Sequence, residues 1–588
     1  MIVRSVVKRS TYVDSVTLML VQKEVRQQPG VTEAGLVVAT DANRTLLREA
    51  DLLTPEAEAA GPDDLVISAS GTSADAVAAA LVLAEQLLTQ RRQPTAAGEY
   101  RPRTIAAARR MLPDATIAAI SVPGRFAAAV AREALQAGLH VFLFSDNVPL
   151  EDELALKRMA AERGRLLLGP GCGTALIGGA GLGFANKVRR GSIGIVAAAG
   201  TGLQEVSTQI HRCGGGVSHG IGTGGRDVAQ AVGGMTMMHG IAALAADPDT
   251  GVIVLVAKPP HPSVAARILG AAQRAGKPVV ACFVGSRVKS RGRVVGVDTL
   301  EDAALTAVRL AEDRSVEAPP SLALPAQEAT RLAPEQRYLR GLYSGGTLGA
   351  EAQALLRGYI GHVRSNAPLD PADKVDGLAR SSGHTVLDMG GDEFTQGRLH
   401  PMIDPTLRLQ RLAQEAEDPE VGVVLLDVVL GFGADRDPAQ TLAPAIAAAR
   451  RRALAAGRYL CVIGSVCGTE EDPQEYRAQQ EMLVEAGMLV ESSNARAARL
   501  AGRVLAGHGA KSEERAGPVP EVTVEDIDLP DAAEVVRLLQ APPQVINVGL
   551  GLFAESLREQ RVPVVDLDWR PPAGGKKHLL ELLDKLEA

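Results

Sequence analysis

Two rhythms of apolar residues run along this chain. Short unbroken apolar runs, rich in Val and Ile, alternate with longer stretches in which apolar positions recur every three or four residues. The first pattern predicts strands buried on both faces, the second amphipathic helices. In residues 1–95, IVRSVV, GLVVAT and DLVISAS read as strands. SVTLMLVQKEVRQ and SADAVAAALVLAEQLL read as helices, the second opened by Ser73 as N-cap. That makes a small α+β domain. TQRRQPTAAGEYRPR, polar and carrying Pro and Gly, reads as a linker.

From residue 104 strand and helix alternate: ATIAAISVP, FAAAVAREALQAG, HVFLFSD, ELALKRMAAERG, RLLLGP. Continuous apolar strands joined by helices imply parallel sheets covered on both faces. The pattern divides into a unit over 104–190, a second over 191–312, a Pro- and Ala-rich linker over 313–335, a third unit over 336–515 and a C-terminal α/β extension over 516–588. The second and third units repeat each other. DPDTGVIVLVAKPP, from Asp247, matches DPEVGVVLLDVVLG, from Asp418, and IGIVAAAGTGLQE matches RGLYSGGTLGAEA. The expected fold class is α/β, with parallel-sheet domains in tandem behind the small α+β domain.

Composition supports this division. A chain of 588 residues needs about three to five cores. Its 61 glycines and 3% aromatics suit Ala-rich helices and tight strand–helix turns. A net charge of −7 gives no reason to expect nucleic acid or an anionic membrane. The five cysteines have neither paired nor metal-binding spacing and read as reduced thiols. No apolar run approaches the ~18 residues of a membrane span, and MIVRSVVKRSTY has no signal-like h-region, so the expected location is the cytoplasm.

Three glycine turns stand between a strand and a helix: Ala199-Gly200-Thr201-Gly202, Ser344-Gly345-Gly346-Thr347 and Leu430-Gly431-Phe432-Gly433. Such a turn leaves the first N–H groups of the helix free to bind an anion, and missing Cβ atoms let a phosphate approach. None is a Walker A motif. Gly200, Thr201, Gly202, Gly345, Gly346, Gly431 and Gly433 are the candidate phosphate ligands. The pair 200–202 with 431–433 is the clearest, and the role of 345–346 is open. The loop HGIGTGGRD offers Gly224, Gly225 and Arg226 as substrate contacts. Lys258 ends a strand, where α/β sheets place ligand contacts. The polar loop DMGGDEFTQGRLHPMIDP adds Asp392 as a substrate contact and Arg398 and His400 as catalytic candidates. His219 and His239 lack metal-ligand spacing, and no metal is expected.

On these residues the chain resembles two known architectures. ISVPGRFAAAVAREALQAGL, GPGCGT, GIVAAAGTGLQEV and GIGTGG resemble the α subunit of succinyl-CoA synthetase; residues 340–500 resemble the carboxyl-terminal domain of its β subunit. The chain is more closely similar, along nearly its whole length, to the FdrA family, through VVKRSTYVDSV, LFSDNV, GVIVL-x-KPP, GLYSGGTL, DEFTQGR-x-HPMIDP and INVGL. The resemblance implies a Rossmann-like (CoA-binding-like) domain over 104–190 and flavodoxin-like, ligase-type domains over 191–312 and 336–515. Three features of the synthetases are missing. GSRVKSRGRVVGVDT has no histidine where they are phosphorylated, the amino-terminal Gly-rich CoA turn is replaced by 1–95, and there is no ATP-grasp domain. The resemblance to the FdrA family implies a carbamoyltransferase of ureide breakdown, phosphorolysing a ureido acid such as oxalurate to carbamoyl phosphate and oxamate, or the reverse. No cofactor is required, CoA is not expected, and companion carbamoyltransferase subunits or an oligomer are. An acyl-CoA ligase-like subunit and a non-catalytic scaffold with a vestigial phosphate site are the alternatives.

Overall fold

A computed structural model describes residues 2–9, 11, 13–62, 64–92, 100–314, 324–395, 398–509, 525 and 527–572. Parts of both expected linkers and of the C-terminal extension lie outside these. Strands β1 (Ile2–Lys8), β2 (Val31–Val38) and β3 (Leu65–Gly71) form an antiparallel sheet in the order β1-β3-β2. Helix α1 (Ser15–Arg26) starts where the Asp14 carboxylate accepts the Thr17 N–H at 2.8 Å, and it buries Leu18, Val21 and Val25 on that sheet. The small N-terminal α+β domain is as expected.

Three largely parallel sheets make up the rest. β4 (Ile117–Ile120), β5 (His140–Leu143) and β6 (Leu167–Leu168) pair in parallel, with α2 (Gly124–Gln136) between the first two. The hairpin β7 (Thr174–Ile177) and β8 (Ala180–Gly183), expected within 104–190, instead extends the next sheet. That sheet comprises β9 (Arg190–Ala198), β10 (Val217–Gly222), β11 (Val252–Ala257), β12 (Val279–Phe283) and β13 (Val294–Gly296), in the order β13-β12-β11-β9-β10. The last sheet, β14 (Tyr338–Tyr343), β15 (Thr385–Asp388), β16 (Val421–Val429), β17 (Cys461–Cys467) and β18 (Met488–Glu491), runs β15-β14-β16-β17-β18. Counted from their own first strands, both orders are 2-1-3-4-5, the flavodoxin-like winding. The repeat seen in sequence is a repeat in space.

The two repeated units share one core. Helices α3 (Gly200–Arg212), α4 (Leu300–Glu312), α5 (Gly346–Ile360) and α6 (Asn494–Gly507) interleave Leu203, Val206 and Ile210 with Ala303, Leu348, Leu356, Ala497 and Val504 between the sheets. Frequent Ala on these faces lets the helices approach closely.

The C-terminal segment is not an appendage. β19 (Val545–Val548), α7 (Gly551–Glu559) and β20 (Val564–Asp566) complete the first parallel sheet, whose order is β20-β19-β4-β5-β6. Gln544 donates its N–H to Thr116 Oγ1 across 428 positions of sequence. If counting starts at β19, this sheet also reads 2-1-3-4-5: a circularly permuted α/β unit, with first and second strands supplied last.

Candidate active site

β9 ends at Ala198 and α3 begins at Gly200; β14 ends at Tyr343 and α5 begins at Gly346. Neither helix receives a side-chain cap from its N-cap residue. The two N-termini meet head-on. The Thr347 N–H donates to Thr201 Oγ1 at 3.3 Å. A Cβ on Gly345 would lie 2.9 Å from Thr201 Cγ2, and one on Gly202 3.0 Å from Thr347 Cγ2. Gly202 and Gly345 thus let the backbones touch, while Gly200 and Gly346 line a cavity of about 270 Å³ at the junction. Two positive helix ends with Lys258 beside them favour an anion there.

The pairing differs from the expected one. Gly200–Gly202 faces Gly345–Gly346. The Gly431-Phe432-Gly433 turn lies outside this cavity: Phe432 and Ala185 exchange backbone hydrogen bonds, Gln474 brackets Gly431, and the next helix starts only at Pro438. Gly431 (φ 116°) and Gly433 (φ 77°) serve a turn that docks the two units. Periodicity marked a strand end but not how far away the following helix began.

The Ser344–Gly345 turn is held by Asp427, wholly buried near the C-terminal end of β16. Its carboxylate accepts N–H bonds from Ser344 (2.8 Å) and Gly345 (2.7 Å), the Ser344 hydroxyl (3.0 Å) and Arg408 Nη2 (2.8 Å). Asp388, at the end of β15, faces Lys258 Nζ at 3.9 Å; burial raises its pKa, with Lys258 opposing. Asp146, just beyond β5, lies open to the cavity but is walled by protein. Burial, then the like charge of Asp392, lifts it to about 6, with Arg226 opposing. His400 enters the cavity from the polar loop, and burial lowers its pKa to about 4.

The remaining candidates separate. Gly225 lines the cavity; Gly224, left-handed at φ 79°, packs against the Pro170 carbonyl. Arg226 binds Glu153 (2.9 Å) and the Val148 carbonyl (2.6 Å) rather than reaching the helix ends. Arg398 and Asp392 border a second cavity of about 760 Å³, which adjoins the first at Phe144, Asp146, Phe184, Gly390 and His400. This larger space lies at the switch point of the permuted sheet, beneath Ser121–Gly124 and Leu550, and is roofed by α1 and β2 of the N-terminal domain. Neither α2 nor α7 has a side-chain cap there.

Behind the junction two acids occupy matching positions. Glu351 Oε1 accepts the N–H of Leu300, the first residue of α4, at 2.7 Å, and Glu205 Oε1 accepts that of Asn494, the first residue of α6, at 3.3 Å. Each unit thereby caps a helix of the other. Burial first, with Glu205 and Glu301 adding repulsion, lifts Glu351 to about 7. Asp146, Asp388, Thr347 and Asp427 were absent from the expected site residues. The strand-end criterion that selected Lys258 also selects Asp388, and the repeat that pairs Gly200 with Gly346 also pairs Thr201 with Thr347.

Comparison with known proteins gives these units relatives. Residues 342–504 match the CoA-ligase family model, 188–285 the CoA-binding domain model, and 1–103 the model described as "AllF, heavy metal-associated domain". The CoA-binding match falls on the unit taken above as the first ligase-like one, not on 104–190. The uncharacterized protein YahF of Escherichia coli (strain K12) is 44% identical over 511 residues, covering 85% of this chain and 98% of that one. A mitochondrial succinate–CoA ligase subunit alpha-2 of Trichomonas vaginalis is 34% identical over 24% of this chain and 47% of its own. The apo dinucleotide-forming acetyl-coenzyme A synthetase 1 of Ca. Korarchaeum cryptofilum is 16% identical, with a TM-score of 0.27 over 68% of this chain and 84% of that one. The models matched beyond residue 103 are of a CoA-ligase and a CoA-binding domain, and the relatives named here for an activity are CoA ligases. They overturn the expectation of carbamoyl transfer from a ureido acid. The heavy-metal description does not fit the donor set: residues 1–103 contain neither Cys nor His. Among the described residues no group of three or more His, Cys, Asp or Glu is placed to hold a metal ion.

Proposed function

The chain belongs to the family of E. coli YahF, FdrA-like and built on the succinyl-CoA synthetase plan, and from that premise we propose that it is an enzyme of the CoA-ligase type. In this reading the head-on junction of α3 and α5 binds the phosphate of an acyl phosphate. A thiol in the adjoining larger cavity takes the acyl group and releases phosphate. The observation that carries the reading is the junction itself: two helix N-termini that receive no cap from their own N-cap residues, with Gly200, Gly346 and Lys258 around one cavity. The chemistry needs positioning more than a strong base, because the acyl phosphate is already activated.

The sequence argument against CoA rested on a missing amino-terminal glycine turn. The permuted sheet supports the opposite reading, since Val548-Gly549-Leu550-Gly551 brings a glycine turn to its switch point from the other end of the chain. The residues that would hold CoA are Ser121–Gly124, Arg125, Leu550 of that turn and Arg570, which line a space of about 760 Å³. CoA would supply the attacking thiol.

The test is direct. The purified chain, given CoA and short-chain acyl phosphates (acetyl and succinyl phosphate as probes), is expected to consume thiol and form thioester. In reverse, acyl-CoA and phosphate should yield acyl phosphate trapped as hydroxamate. Failure to turn over any of these, together with no CoA binding by calorimetry, would remove the reading.

A further inference from the structure

His400 is the one histidine lining the junction cavity among the described residues, and its surroundings decide what it can do. Its Nδ1 lies 3.2 Å from the backbone nitrogen of Met402. A backbone N–H can only donate, so Nδ1 holds a lone pair and the proton of the neutral ring sits on Nε2. The loop fixes this orientation: the His400 carbonyl accepts N–H bonds from Ile403 (2.8 Å) and Asp404 (3.0 Å), and the ring leans on Phe184 at 5.4 Å. Nε2 is turned toward Gly390, where a Cβ would stand only 2.6 Å away. Among the described residues no acceptor takes its proton. The titratable groups around the same cavity are Asp146, Asp388 and Lys258.

A ring in this state has no free lone pair to attack phosphorus or to accept a proton at Nε2. It can donate a hydrogen bond. Resting on the acyl-phosphate reading above, we infer that His400 acts as a neutral electrophilic catalyst, its Nε2–H donating to the acyl oxygen while the phosphate sits on the helix ends. As the thiol sulfur bonds to the acyl carbon, the carbonyl π electrons move to oxygen and the imidazole stabilises that oxyanion without giving up its proton. The carbonyl then re-forms, the carbon–oxygen bond to phosphate breaks with its electron pair going to phosphate, and the thiol proton ends on phosphate. Thioester and hydrogen phosphate are the products. This gives His400, a catalytic candidate from the polar loop in sequence, a role other than proton transfer. Burial, which lowers the pKa to about 4, acts in the same direction by keeping the ring neutral at physiological pH.

Two measurements on the intact chain test it. In ¹⁵N-histidine-labelled protein, the His400 signal (assigned by its loss in His400→Gln) is expected to be the Nε2–H tautomer. It should not titrate between about pH 8 and pH 5 and should shift when acetyl phosphate is added. In acetyl phosphate–CoA exchange, His400→Phe is expected to lower kcat about 10²–10³-fold with KM for acetyl phosphate little changed. His400→Gln, which keeps a donor, should recover much of the loss. A His400 that titrates near 6.5, an Nδ1–H tautomer, a phosphorylated His400 after incubation with ³²P-acetyl phosphate, or a fully active His400→Phe each overturns the inference. If wild type shows no exchange at all, the acyl-transfer reading falls. The tautomer and the acetyl phosphate-induced shift at Nε2 then still decide the state of His400 separately.

Discussion

Removing Asp427 should be far more damaging than removing most buried side chains, because of what it leaves behind. Asp427→Ala strands the Arg408 guanidinium, which is 4% exposed and whose other hydrogen bonds among the described residues go to the carbonyls of Leu342 and Asp427. It also orphans the N–H groups of Ser344 and Gly345 and the Ser344 hydroxyl. An uncompensated buried charge costs about 3–5 kcal/mol, and the unsatisfied donors push the loss toward the upper end. Native-state hydrogen exchange on the amides of β16 reads this locally, which suits a multidomain chain whose global unfolding need not be two-state. Arg408→Met alone should cost less, since Asp427 keeps three donors. The double variant should be more stable than the sum of the single losses predicts. A loss under about 1 kcal/mol in Asp427→Ala, or strict additivity in the cycle, would refute the claim that this ion pair builds the Ser344–Gly345 turn.

Two more outcomes follow from the fold. Glu351 has its pKa raised from 4.5 to about 7 by burial, so the folded state binds an extra proton between those values. The stabilising contribution is complete below about 4.5 and is lost as pH rises through 7. From pH 5 to 8 wild type should therefore lose unfolding free energy relative to Glu351→Gln, the pH-dependent difference growing to the order of 3 kcal/mol by pH 8; a difference that stays constant with pH would show the assignment to be wrong. Ending the chain at residue 541 removes β19 and β20 and bares the edge of β4, so protease should cut within residues 104–168 while β14–β18 stay protected; equal protection of both would show that the pairing is dispensable.

The repeat of two α/β units was legible because it is written in local rhythm: the unbroken apolar runs GVIVLVAK and GVVLLDVV are β11 and β16, and GTGLQE and GTLGAE open α3 and α5. Gly200, Thr201, Gly346 and Lys258 were found for the same reason, since each sits at a strand-to-helix step. What stayed hidden was adjacency. Nothing in the run VINV says that it pairs with IAAI more than four hundred positions earlier, because a parallel strand buried on both faces presents the same apolar sequence to any neighbour. The partner of Gly200 was misjudged likewise: three similar turns existed, and only packing selects Gly345–Gly346 over Gly431–Gly433. His400 was visible as a polar residue in a polar loop. Its tautomer depends on the Met402 N–H and could not be read from composition.

The permuted sheet also imposes an order of events at the ribosome. β4, β5 and β6 leave the exit tunnel more than 370 residues before β19. At about 5–20 residues per second that is a wait of roughly 20–75 s with one edge of a hydrophobic parallel sheet unpaired. The two flavodoxin-like units can form their shared core during that interval, so the first α/β unit to be synthesised is the last to close. A newborn chain stalled or cleaved before residue 545 would carry a finished anion junction beside an open, association-prone strand edge. For this protein, the larger of the two adjoining cavities gains its last wall, Leu550 and Phe553, only when the segment that pairs with β4 has been made.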